Sequence, residues 1–123
     1  MAYEIHIARL EDDLETEIPI TTEEWIECVR QLKDLRYVEE DFPDSIQTYS
    51  RETSEWIPVF WVNEDGGSMR ASGFFNSVSY EKAIEIARYL NAYIFGDESE
   101  VYYLPGLGVV YTTLQPDNPE LKL

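Results

Sequence analysis

Residues 56–62 read WIPVFWV, and this run constrains the fold more than any other. Its length and its β-branched and aromatic content predict a strand. Strict alternation puts Trp56, Pro58, Phe60 and Val62 on one face and Ile57, Val59 and Trp61 on the other. Both faces are apolar, so one belongs to a core while the other is covered by a helix or a partner. Pro58 has no N–H to give to a ladder, which predicts an edge position or a bulge. For any one aromatic here, core packing outweighs partner contact.

The flanking sequence supplies the other elements. Tyr3, Ile5 and Ile7 alternate with Glu4, His6 and Ala8, which predicts a half-buried strand over 3–8. The acid run EDDLETE, 11–17, reads as a solvated loop in which like charges oppose compact structure. Thr21 and Glu24 have capping-box spacing, and Trp25, Ile26, Val29 and Leu32 follow as a core-facing helical stripe ending near residues 33–35. Short strands are expected around 36–39 and 46–50, separated by a turn at Phe42-Pro43-Asp44. A Gly-containing hairpin loop at 63–67 leads to a return strand at 68–75.

A second helix is predicted over 80–90. Ala83, Ile84, Ala87 and Leu90 face inward there, Glu81, Lys82, Glu85 and Arg88 face water, and Asn91 is the stop. Strands at 92–95, 101–104 and 109–114 complete the chain. Hairpin-linked strands with two helices predict one α+β domain over 1–123: a mostly antiparallel sheet with both helices packed on one face.

Charge limits the function. Twenty-five acids against nine Lys and Arg give a net charge of −16. Residues 1–65 hold 18 of the acids and five of the bases. Such a field repels nucleic acid and anionic membrane surfaces and attracts cationic partners. Solubility alone also explains an acidic surface, but the concentration in one half favours a partner. No basic segment leads into an apolar run, and no stretch approaches the length of a membrane span, so the expected location is the cytoplasm. The single cysteine, Cys28, excludes an intrachain disulfide and falls in a helical apolar pattern, where core outweighs nucleophile.

Catalytic patterns are weak. One His and one Cys do not build a zinc site of familiar spacing, and the acid runs at 11–13 and 97–100 lack the calcium-loop pattern. His6 is the one imidazole, on the polar face of the first strand, and a lone strand histidine is usually a surface or sheet-packing residue. The chain has no G-x-S-x-G elbow, and Pro105-Gly106-Leu107-Gly108 lacks the Lys and third Gly of a phosphate loop. Close carboxylate pairs arise by chance among so many acids. The expectation is therefore no enzyme, no metal and no cofactor.

Protein binding remains. Tyr and Trp are enriched at binding hot spots, and carboxylates steer basic partners. The candidate partner-binding residues are Glu39, Glu40, Asp41, Asp44, Glu52, Glu55, Trp56, Glu64 and Asp65. A small enzyme or ligand-binding domain with its site in the β-rich half is the alternative.

The segments YEIHI, ITTEEWIECV, WIPVFWV and AIEIARYLNAYIFGDESEVY together resemble a set of small acidic bacterial proteins. Their size and acidity are similar to those of immunity proteins of polymorphic toxin systems, including contact-dependent growth inhibition. The resemblance covers about half the chain and implies binding and neutralisation of a cognate toxin domain, commonly a basic nuclease. It carries over no functional residues. Residues 36–55 depart most from the pattern.

Overall fold

The computed structural model describes residues 4–42, 44–62, 67–71, 77–97, 100–106 and 108–113. In chain order they form β1 (Ile5–Leu10), β2 (Glu17–Ile18), α1 (Thr22–Gln31), β3 (Leu35–Tyr37), a 3-10 turn (Glu39–Asp41), β4 (Ser45–Ser50) and β5 (Glu55–Val62). β6 (Met69–Ala71), α2 (Ser77–Leu90), β7 (Tyr93–Gly96), β8 (Glu100–Leu104) and β9 (Gly108–Thr113) follow. The expected hairpin loop falls largely on residues 63–66, and the expected extensions to residues 75 and 114 also lie outside the described residues. So does Pro43.

One sheet runs in the order β3-β4-β5-β6-β1-β7-β8-β9, with β2 paired to the end of β1. Every neighbouring pair is antiparallel. The fold is therefore α+β. Both helices lie against one face of the sheet. Trp25, Cys28 and Val29 of α1 and Ala83, Ile86, Ala87 and Leu90 of α2 are buried in one cluster with Ile5, Ile7, Ile46, Phe60, Met69, Ala71 and Ile94. Ile86 was not expected in the stripe; Ile84, expected inside, is half-buried. Phe60 and Trp25 are almost fully enclosed, and truncating either to Ala removes about 3–5 kcal/mol.

The alternation expected along 56–62 does not hold, because the β4–β5 ladder carries a bulge beside Pro58. Ile46 pairs with Phe60 but Gln47 pairs with Pro58, so Val59 is an extra residue in the ladder. A bulge turns the strand by one position. Phe60 and Val62 join Ile57 and Val59 on the helix side, while Trp56 and Pro58 share the open face with Trp61. Among the described residues β6 pairs with residues 60–62 of β5.

Two local expectations are corrected. The run at 11–16 is exposed but compact. Glu11 and Thr16 are joined by a backbone hydrogen bond of 2.9 Å. Asp13 accepts from the Glu15 and Thr16 N–H groups and from the Thr16 hydroxyl. These donors hold its carboxyl below its ordinary range, which offsets the like-charge repulsion. Lys82 was expected to face water. It is buried instead, because its Nζ donates to the Lys33 carbonyl at 2.7 Å and pairs with Glu85 at 2.9 Å. It thus ties α2 to the end of α1.

The helix start at Thr21 and the stop at Asn91 follow the sequence, whereas α1 ends at Gln31, short of 33–35, and α2 begins at Ser77, ahead of 80. The capping box at Thr21 and Glu24 is complete. Glu24 also receives the Arg9 guanidinium, whose Nε donates to the Leu90 carbonyl at 2.8 Å, so one cation joins β1 to both helices. Asn91 has φ 57°, and the N–H groups of Asn91 and Ala92 return to the Arg88 and Ala87 carbonyls. That is the two-bond stop in which a left-handed residue ends a helix.

Two outcomes are expected. Asn91→Ala lowers thermal stability by about 1 kcal/mol because Cβ disfavours positive φ for residues other than Asn, Asp and Gly, whereas Asn91→Gly does not lower it. Glu24 is held down to about 2 by Arg9, then by the Thr21 N–H. A depressed carboxyl stabilises the fold above its unfolded value and loses that contribution as pH falls towards the folded one. Denaturation of Glu24→Gln at neutral pH should therefore show a loss of about 1 kcal/mol after allowance for solvent screening. The gap to the unaltered protein should close between about pH 4.5 and 2.

Candidate partner-binding surface

Strand directions decide where the acids gather. β1, β3 and β5 all finish at the same end of the sheet, and β4 begins there. The turn after β1 carries Glu11, Asp12, Asp13 and Glu15. The connection from β3 to β4 carries Glu39, Glu40, Asp41 and Asp44. All eight are exposed. Arg9, near this end of β1, is committed to Glu24 and the Leu90 carbonyl. From β4 to β1 is three strand spacings, about 15 Å, so the acids form one rim.

Two apolar side chains stand among these acids. Phe42 is 53% exposed and meets Tyr37 edge-on at 4.8 Å between ring centroids. Ile18 is also exposed and flanks the acids of the first turn. Behind the rim, a depression of about 350 Å³ is lined by Asp44, Trp61, Val62 and Arg70. Arg70 reaches Glu4 at 3.4 Å.

The structure does not bring all the predicted residues together. Glu52 and Glu55 are exposed at the turn between β4 and β5, the opposite end of β4 from Asp44. Six residues of strand, about 20 Å, separate the two groups. Glu64 and Asp65 lie outside the described residues.

Trp56 lies beside Glu55, half-buried on the sheet face away from the helices. Its ring meets Tyr49 edge-on at 5.4 Å between centroids. The Arg36 guanidinium sits over it at 4.4 Å, and the Arg36 Nε donates to Gln47 Oε1 at 2.8 Å. Tyr49 and Trp56 are direct cross-strand partners, as are Arg36 and Gln47. Sequence reasoning named Trp56 but missed Arg36, Gln47 and Tyr49. Their shared parity is visible only once the β3–β4–β5 register is known.

The groups with chemical potential elsewhere are occupied. His6 Nε2 lies 2.7 Å from Asp97 Oδ1, and its ring stacks on Phe95. Asp97 Oδ2 accepts the Glu4 N–H at 2.8 Å. That bond, then the one from His6, holds Asp97 below the usual carboxylate range, and the arrangement clips the end of β7 to the start of β1. Burial pushes the Cys28 thiol up to about 12, so it is protonated and unreactive at neutral pH. Among the described residues no three His, Cys, Asp or Glu side chains are grouped to hold a metal ion.

A second depression, about 380 Å³, lies between the end of α1, the β4–β5 turn and α2. Its charges pair with one another: Arg51 with Asp34 at 3.3 Å and Lys82 with Glu85 at 2.9 Å. No helix is long and apolar enough to cross a membrane among the described residues.

No protein family, curated protein or solved structure matches this chain.

Proposed function

We propose that this chain is a non-catalytic inhibitor that binds a basic protein domain, and that it acts as an immunity protein by covering the cationic active site of a nuclease-type toxin. The observation that carries this reading is the acidic rim. Glu39, Glu40, Asp41 and Asp44 stand beside Glu11, Asp12, Asp13 and Glu15 at one end of the sheet, with Phe42 exposed among them. Carboxylates gathered on one end raise the encounter rate with a cationic partner, and an exposed aromatic supplies an anchor. A site that binds phosphodiester backbones is cationic by necessity, so an anionic rim is a physical substitute for its substrate. The place of action in this reading is the bacterial cytoplasm.

A ligand-binding domain is the second reading, and the depression beside Lys82 favours it by size. Small-molecule sites span about 300–1,000 Å³ but are mostly apolar. This one is lined by Lys33, Asp34, Tyr49, Arg51, Glu52, Glu81, Lys82 and Glu85, whose charges already satisfy one another in part. Inhibition by a binding surface is the stronger reading.

Affinity capture from the native host at low ionic strength tests it. A basic protein should be retained, should be released as salt rises above about 0.15 M, and should lose its activity when mixed with the purified chain. Replacing Glu39, Glu40, Asp41 and Asp44 together by their amides should slow association about tenfold or more at low salt. Retention of no basic protein, or binding indifferent to salt, contradicts the reading.

A further inference from the structure

We propose that the open face of β3–β5 is the centre of the docking surface, and that the guanidinium of Arg36, stacked on Trp56, receives a carboxylate of the basic partner. The inference rests on the reading of the chain as a binder of a basic domain, and it adds where that domain sits and what it must carry.

Arg36 is an anomaly of charge. In a chain with 25 acids and nine Lys and Arg, Arg36 is exposed and pairs with no carboxylate among the described residues. Its Nε is held by Gln47 and its plane lies over Trp56. The side chain is therefore fixed by two contacts, leaving its Nη donors for another group. A planar guanidinium held this way is preorganised for two parallel bonds to a carboxylate. Little rotamer entropy is left to lose on binding.

The surroundings have the layout of an interface. Arg, Trp and Tyr are the residue types that dominate binding hot spots, and charged residues occupy the rim around such a centre. Here Arg36, Trp56 and Tyr49 cluster on this face, with the Tyr49–Trp56 pair one step from Glu55. Glu52 and Glu55 stand at one end of it and Glu39, Glu40, Asp41 and Asp44 at the other. Three strands of about 20 Å by about 15 Å offer only about 300 Å². A stable complex needs about 800 Å² from each partner, so both acidic ends must take part. The complementary surface is Lys- and Arg-rich around a single Asp or Glu. An aromatic, Arg-bearing sheet face is also the form of a single-strand nucleic-acid platform, but acids at both ends repel a phosphate backbone.

Two short synthetic peptides test this at low salt: one of Lys and Gly, and the same peptide with a central Asp. Binding is read from the indole N–H signals of the three tryptophans in two-dimensional NMR, with dissociation constants from titration. The Asp peptide should bind about tenfold more tightly, the size of one charge-assisted contact, and should move the Trp56 signal. Arg36→Ala and Arg36→Lys should abolish the difference between the peptides, with unchanged melting temperature for the lysine variant. The four-amide variant of Glu39, Glu40, Asp41 and Asp44 should weaken both peptides and preserve their ratio. Equal binding of the two peptides, or movement of the Trp61 signal beside Asp44 with Trp56 unmoved, overturns the inference and leaves the acidic-rim reading standing. Binding of neither peptide overturns both. Tighter binding of an oligothymidine that moves Trp56 overturns it in favour of nucleic acid.

Discussion

One extra residue organises both faces of this sheet. Between the pairs Gln47–Pro58 and Ile46–Phe60 the β4–β5 ladder admits Val59 without a partner. Downstream of that step Phe60 points into the core, where it is fully enclosed, and Trp61 points out. Upstream, Trp56 points out beside Tyr49. A regular strand would have put Trp56 and Phe60 on the same face. The bulge therefore separates the large aromatics of one short run between stability and surface. It also allows an apolar sequence to serve a sheet that helices cover on one side only.

The charge follows the topology. The folded core needs few acids, so they collect in turns, and the strand directions place two acid-bearing turns at the same end. Self-repulsion there is met locally, by Asp13 accepting three donors within its own turn. Cations are used sparingly and structurally. Arg9 joins β1 to both helices, and Lys82 joins α2 to the end of α1. Arg36 is the one on the sheet surface whose described contacts are to a ring and an amide rather than to a carboxylate.

Much of the fold was legible. The capping box, the stop at Asn91 and the strand at 56–62 each rest on a local rule, and each stands where expected. The misreadings came from tertiary context. Lys82 has a solvent-facing pattern, yet a free carbonyl at the end of α1 captured it. The face assignments along 56–62 assumed perfect alternation, which the bulge broke. The candidate surface was legible only in pieces. Composition pointed to the acids of 39–44, but no sequence rule brings Glu11–Glu15 next to them or moves Glu52 and Glu55 to the far end. That requires strand order. Arg36 was silent because its meaning lies in Gln47 on the adjoining strand and Trp56 one strand further on.

The central claim is that a basic partner covers the sheet face opposite the helices together with its acidic end. Hydroxyl-radical footprinting of the complex with the captured partner tests it most directly, since it reads side-chain accessibility residue by residue. Trp56, Tyr49 and Phe42 should become protected, while Tyr89, exposed on α2 on the far side of the molecule, should react as in the free protein. Protection of Tyr89 with an unchanged open face would contradict the account.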